Sequence, residues 1–233
     1  MALALVQSVT RANFFDAALS GSSGTLGATP TSGNGLVLVV YAQDNPSTRV
    51  FTAPSGWTKL REYNDVEYSM AVFYKVAGGS ESTSYSYSWT GDSFRCTNWL
   101  AEYSGADGTT LIDVSAGAFT DHGFTASDVA EPSITTATDG AVDIVFISAK
   151  DGGPGFAMVS PSGYTEQVDV AEMGLYTKEI TTAGATGSRT MSHPNQNIIT
   201  YSFALRPSGG TPAASPLDDE MNQGGIAAMI ASW

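Results

Sequence analysis

The sequence predicts an all-β protein: an antiparallel, jelly-roll-like β-sandwich built from two duplicated halves, followed by a C-terminal extension. Three observations carry that expectation. The first is the turn dipeptide Asn34-Gly35 followed at once by Leu36-Val37-Leu38-Val39-Val40-Tyr41. A short run of β-branched, leucine and aromatic residues opened by a turn is the pattern of a strand buried on both faces. Its brevity and the exit at Pro46 set it apart from a buried helix. The second is recurrence. Gly35 and its apolar run return as Gly140-Ala141-Val142-Asp143-Ile144-Val145-Phe146-Ile147, 105 residues on. Pro54-Ser55-Gly56-Trp57-Thr58 returns as Pro161-Ser162-Gly163-Tyr164-Thr165 after 107 residues, and Met70 to Lys75 returns as Met173 to Lys178 after 103. Trp99 to Tyr103 is answered by Ile199 to Phe203. Landmarks in one order at nearly one spacing point to a duplication with drifting loops. The third is balance: 14% charged residues with 10% aromatics and 25 glycines suit strands and turns better than a helical bundle.

Taken in order, Met1 to Val9 reads as an edge or pairing strand. The stretch from Ala17 to Gly35 is rich in Gly, Ser, Thr and Ala, and reads as a long loop or weak strand. After the central strand and a polar turn comes the Pro54–Trp57 corner, where Trp57 is expected to plug the core and Tyr164 to hold the matching place with a hydroxyl in need of a partner. Met70 to Ala77 is a further strand. In Ser82 to Trp89 the aromatics Tyr85, Tyr87 and Trp89 alternate with serines, the period of a half-buried strand whose aromatic row faces the core. Phe94 to Ser104 closes the first copy, about 1–106. Leu111-Ile112-Asp113-Val114 opens the second, about 107–207, in the place that Leu5 to Val9 held in the first. The short connection between Tyr103 and Leu111 favours one sandwich in which the copies complete each other's core. Each copy is also large enough to fold alone, so two tandem sandwiches remain the alternative. Residues 208–233 form a linker, Ser208 to Pro212, and an arm. In the arm Ile226, Met229, Ile230 and Trp233 fall on one apolar stripe if helical, and they are the candidate partner-binding residues.

Composition narrows function. A net charge of −13 argues against nucleic acid, because a phosphate backbone requires a basic footprint. No apolar run reaches the roughly 20 residues needed to span a bilayer, so no membrane insertion is expected. The opening residues lack a basic n-region and a long enough apolar run for a signal peptide. The single cysteine, Cys96, permits no internal disulfide and reads as a quiet buried thiol. His122 and His193 stand in no metal-ligand spacing. No nucleophile elbow, P-loop or dinucleotide fingerprint appears, and no carboxylate pair stands beside a substrate motif, so no catalytic residue and no cofactor is assigned. A structural calcium among Asp107, Asp113, Asp121 and Asp151 is the one metal the acidic loops admit, against the simpler reading of Asp107-Gly108 and Asp151-Gly152 as turns.

The opening Ala4 to Val9, the Gly35 to Val40 strand, the Pro54 to Thr58 corner, Ala71-Val72-Phe73-Tyr74-Lys75 and Ala101-Glu102-Tyr103-Ser104-Gly105 together resemble a group of tailed-bacteriophage virion proteins. These are β-sandwich proteins of the minor structural, tail or decoration type. The resemblance spans about 1–207 and transfers no catalytic residue. It implies a non-enzymatic virion component, an accessory decoration, cement or appendage protein. Such a component would be made in the host cytoplasm, bind other virion proteins and form homo-oligomers. The alternatives are a carbohydrate-binding adhesin recognising a host surface glycan and, less favoured, an envelope-active glycosidase.

Overall fold

The computed structural model describes residues 1–15, 20–43, 49–64, 68–90, 95–116, 118–125, 128–149, 158–170, 172–193 and 196–210. Every regular element among them is a β-strand, and all pairings are antiparallel. The first half supplies β1 (Ala4–Phe15), β2 (Ser20–Ser22), β3 (Gly35–Gln43), β4 (Phe51–Thr52), β5 (Thr58–Asn64), β6 (Tyr68–Val76), β7 (Ser86–Trp89) and β8 (Arg95–Ser104). The second supplies β9 (Ile112–Ser115), β10 (Thr120–Thr125), β11 (Val129–Glu131), β12 (Ala141–Ala149), β13 (Thr165–Val170), β14 (Met173–Ile180), β15 (Arg189–Met191) and β16 (Gln196–Leu205).

The two halves share one strand order. The large sheet of the first half runs β1-β8-β3-β6-β5, and that of the second runs β10-β16-β12-β14-β13 with β9 also on β16. Each half adds a small sheet, β2-β7-β4 in the first and β11-β15 in the second, where a bridge between Val159 and Ser192 stands in the place of β4. Strands β3 and β12 therefore occupy matching central positions, as their sequences predict. The long β1 corresponds to β9 and β10 together, and between these two Phe119 turns into the core to stack on Tyr201 at 4.4 Å.

The pleat explains the layers. Along β3, Val37, Val39 and Tyr41 point to one side and Leu36, Leu38 and Val40 to the other, all essentially buried. Each such side chain gains about 1.5–3 kcal/mol by leaving water, against an ordering cost of about 1–2 kcal/mol per residue for the backbone. A strand apolar on both faces is thus stable only between two layers. The inner faces of the large sheets meet in one common core, with Val39, Val72 and Trp99 from the first half and Ile144, Phe146 and Phe203 from the second. The outer faces are covered by the small sheets, giving four stacked layers. Residues of both halves share the inner core, and each half also has an outer core that a single two-layer sandwich lacks.

The repeated corner folds alike twice. Trp57 N–H donates to Pro54 O at 3.0 Å and Tyr164 N–H to Pro161 O at 3.1 Å. Gly56 and Gly163 take φ of 77° and 79°, a left-handed conformation that a side chain would strain, and each faces a lysine Nζ, Lys75 or Lys178, at 3.8 Å from an added Cβ. The halves are tied where they meet and end. Ala106 bridges Pro207, Asp107 N–H donates to Arg206 O at 2.9 Å, and Ser208 N–H donates to Gly105 O at 2.7 Å. The predicted linker thus begins pinned to the sandwich. Ile226, Met229, Ile230 and Trp233 lie outside the described residues.

Candidate functional site

The outer cores are where the halves part company, and the second half's outer core holds the candidate site. In the first half this layer is aromatic. Trp57 is buried and packs edge-on against Tyr85 at 4.8 Å, and Tyr87 and Trp89 continue the row with Phe51. The aromatic row of Ser82 to Trp89 is therefore core, as its alternation predicts. Lys75, opposite Leu36 in the ladder, is paired with Glu81 at 2.7 Å. Burial pushes the Glu81 carboxyl up, but Lys75, the Gly78 N–H and the Tyr85 hydroxyl outweigh it and hold it below its ordinary value.

In the second half, Asp143 faces Lys178 across the ladder, in the relation that Leu36 bears to Lys75. Asp143 is fully buried. Its Oδ2 accepts from the Tyr164 hydroxyl at 2.6 Å and lies 3.6 Å from Nε of Arg189, itself 2% exposed. The partner that the Tyr164 hydroxyl needs is thus Asp143. Lys178 rides over the Tyr164 ring at 5.5 Å. Arg189 Nη1 donates to Thr186 Oγ1 at 2.5 Å and Gly187 O at 3.0 Å, while its Nη2 finds no acceptor among the described residues. Across the β11–β15 ladder, Glu131 stands directly opposite Arg189. The buried Glu131 carboxylate accepts from the hydroxyls of Thr200 and, at 2.9 Å, Ser202. His122 Nε2 extends this chain at 2.9 Å from Thr200 Oγ1.

Burial raises both acids above ordinary carboxylate values. For Glu131 the Thr200 and Ser202 hydroxyls and Arg189 offset part of the rise, and for Asp143 Arg189, Tyr164 and Lys178 do so. The Tyr164 hydroxyl is pushed up by burial and by Asp143, so it stays a donor. Burial lowers the His122 ring, which favours its neutral form. Above this network opens a cleft of about 220 Å³ lined by Pro161, Ser162, Tyr164, Lys178, Ser188 and Arg189, among others. A larger groove of about 450 Å³ runs between the halves past Leu5, Tyr103, Gln167 and Thr177, and Lys178 borders both.

The remaining candidates lie apart from this network. Asp107 closes a turn, accepting from Thr109 N–H, Thr109 hydroxyl and Thr110 N–H at 2.7–2.8 Å, which hold it down to about 2. Asp113 pairs with Arg206 at 3.2 Å and accepts from Ala137 N–H, while Asp121 accepts from Gly123 N–H and the Tyr63 hydroxyl. Asp151 lies outside the described residues. Among those residues, no group of three or more His, Cys, Asp or Glu side chains gathers to hold a metal, and no helix is long and apolar enough to cross a membrane. Cys96 is buried. Sequence reasoning passed over the Asp143–Arg189–Glu131 network. Its one visible signal was Asp143, a charge inside an otherwise apolar run whose counterpart in β3 has none. Compared with known proteins, the chain matches no family model, no characterised protein and no solved structure.

Proposed function

We propose that the protein is a non-enzymatic structural component of a tailed-phage virion, an accessory decoration, cement or appendage protein that binds other virion proteins. The observation carrying this reading is that the residues behind the resemblance are framework: the β3, β6 and β8 strands and the Trp57 corner build the shared core and its outer layer. A chain that spends its distinctive residues on a rigid four-layer stack suits a load-carrying part. We further infer that each half is a jelly-roll-like unit and that the halves arose by duplication. The support is the strand order: β1-β8-β3-β6 over β2-β7-β4 recurs in the second half, with β9 and β10 together in the place of β1 and the Val159–Ser192 bridge in the place of β4. The attachment device is the arm carrying Ile226, Met229, Ile230 and Trp233. The test is reconstitution on particles purified without this protein, followed by cryo-EM localisation. Full-length protein should appear at defined, repeated positions, and its failure to bind any particle component refutes the reading.

A second reading, a carbohydrate-binding adhesin, draws on the cleft over Arg189, which the packing of the fold does not require. Adsorption of particles to host cells, with and without the protein, separates the two.

A further inference from the structure

We propose that the cleft over Arg189 binds one anionic sugar unit, a saccharide ring bearing a carboxylate. This deepens the adhesin reading and rests on it for its biological setting; the site itself stands on the following geometry.

Size comes first. At about 220 Å³ the cleft falls below the roughly 300–1,000 Å³ of pockets that take drug-sized ligands, which leaves room for a single ring. Chemistry comes second. The described lining carries two cations, Lys178 and Arg189, in a protein of net charge −13 with only 10 lysines and arginines. Two of those ten border one small cleft, and with Asp143 and Glu131 balancing Arg189 from behind, Lys178 is the cation left to meet an anion. Ser162, Ser188 and Thr190 add hydroxyls that both donate and accept, which suits a ring of hydroxyl groups.

Preorganisation is the third argument. Arg189 is almost fully buried, and its guanidinium is fixed on one side by Thr186 and Gly187 and faced at Nε by Asp143. Its Nη2 has no acceptor among the described residues. An unsatisfied buried N–H on a charged group is costly, and a carboxylate in the cleft that Arg189 borders balances that charge, while Lys178 on the lining supplies the direct charge-assisted contact. Behind it, the buried Asp143 and Glu131 offset the guanidinium's charge in the empty site, so Arg189 is held in place before any ligand arrives. Finally, the fold does not demand the opening. In the first half the matching corner is closed by the Tyr85 ring packed on Trp57, while beside Tyr164 the same layer stands open.

The experiment is titration calorimetry of the full-length protein with free glucuronic and galacturonic acids, glucose, and glucose 6-phosphate, at low and high salt. At least one uronic acid should bind about tenfold or more tightly than glucose, the factor expected for one charge-assisted hydrogen bond, and higher salt should weaken it. Because Arg189 is built into the core, Lys178→Gln serves as the main variant. It should lower uronic-acid affinity severalfold in a protein that still unfolds cooperatively, which its urea melt checks. Ser188→Ala should do the same to a lesser degree. Failure of every uronic acid to bind at tens of millimolar overturns the proposal, as does equal affinity for glucose. Tighter binding of the phosphorylated sugar overturns the carboxylate assignment. Binding of free uronic acid without any loss of particle adsorption in Lys178→Gln sinks the adhesin setting and leaves the site.

Discussion

Replacing Asp143 by leucine, the residue type that faces Lys75 in the first half, isolates the energetics of the second half's outer core. Asp143 is fully buried and Arg189 is 2% exposed, so neither charge is rescued by water when the other is removed. Asp143→Leu leaves the guanidinium with the Thr186 hydroxyl, the Gly187 carbonyl and Glu131, its direct partner across the β11–β15 ladder. Breaking a buried pair from one side costs about 3–5 kcal/mol, because the surviving charge keeps its desolvation penalty without its partner. The elevated carboxyl of Asp143 says that burial already outweighs the favourable contacts, so the pair as a unit adds little stability. The double change Asp143→Leu with Arg189→Met should therefore recover to within about 1 kcal/mol of the starting protein. The assay is equilibrium urea unfolding of all four proteins of the cycle, read by tryptophan fluorescence, with the slopes compared to secure the midpoints. A single Asp143→Leu change costing under about 0.5 kcal/mol, or strictly additive single and double effects, refutes the claim that this ion pair is buried and mutually dependent.

Trp57→Ala should cost about 3–5 kcal/mol in the same assay, since the ring is 7% exposed and packed on Tyr85; an unchanged midpoint would move the ring out of the core. Gly105→Ala should destabilise by well over 1 kcal/mol, because φ is 71° and the new Cβ would sit 2.2 Å from the backbone oxygen of Ala2; thermal melting without a downward shift would contradict it. Stability should also fall as pH rises above ordinary carboxylate values. Glu131 and Asp143 titrate higher folded than unfolded, so their contribution is complete below about pH 4 and is lost as pH climbs through their folded values. Asp107, held down to about 2, acts oppositely, its contribution vanishing only as pH drops below its ordinary 3.8. Urea midpoints across pH check this, and Glu131→Gln with Asp143→Asn should flatten the decline. Truncation after Gly210 should leave the melting midpoint in place, since the bonds of Gly105, Asp107 and Ser208 lie inside the retained chain, and should abolish binding to particles. Normal particle binding by the truncated protein would refute the role given to Ile226, Met229, Ile230 and Trp233.

The framework was legible in the sequence because strand periodicity and turn chemistry are local. Asn34-Gly35 and Asp139-Gly140 open the two central strands, and the alternation of Tyr85, Tyr87 and Trp89 foretold their burial. What the sequence could not convey was partnership across long separations. Glu102 is an example: it is 1% exposed and accepts from Gln7 Nε2, Thr31 N–H and Asn34 Nδ2 at 2.5–2.7 Å. It pins a Gly- and Thr-rich loop that by composition had little to offer a core. Glu131 and Arg189 were equally silent, since each is an unremarkable charge until β11 and β15 place them side by side.

The two halves also show where such a fold is free to change. The inner faces of β3 and β12 confront each other across one core, so Val37 and Val39 on one side and Val142, Ile144 and Phe146 on the other must stay apolar together. A polar residue there would face both halves' hydrophobic groups with no partner in reach. The outer faces answer only to their own small sheets, and a change there can be matched locally. Asp143 is tolerated because β15 brings Arg189, the repeated corner brings Tyr164, and β14 brings Lys178. Each of these lies within the second half, so the exchange of an aromatic layer for an ionic one leaves the shared core intact. Specialisation in this architecture is therefore expected on the outer layers, and the cleft over Arg189 lies in that position.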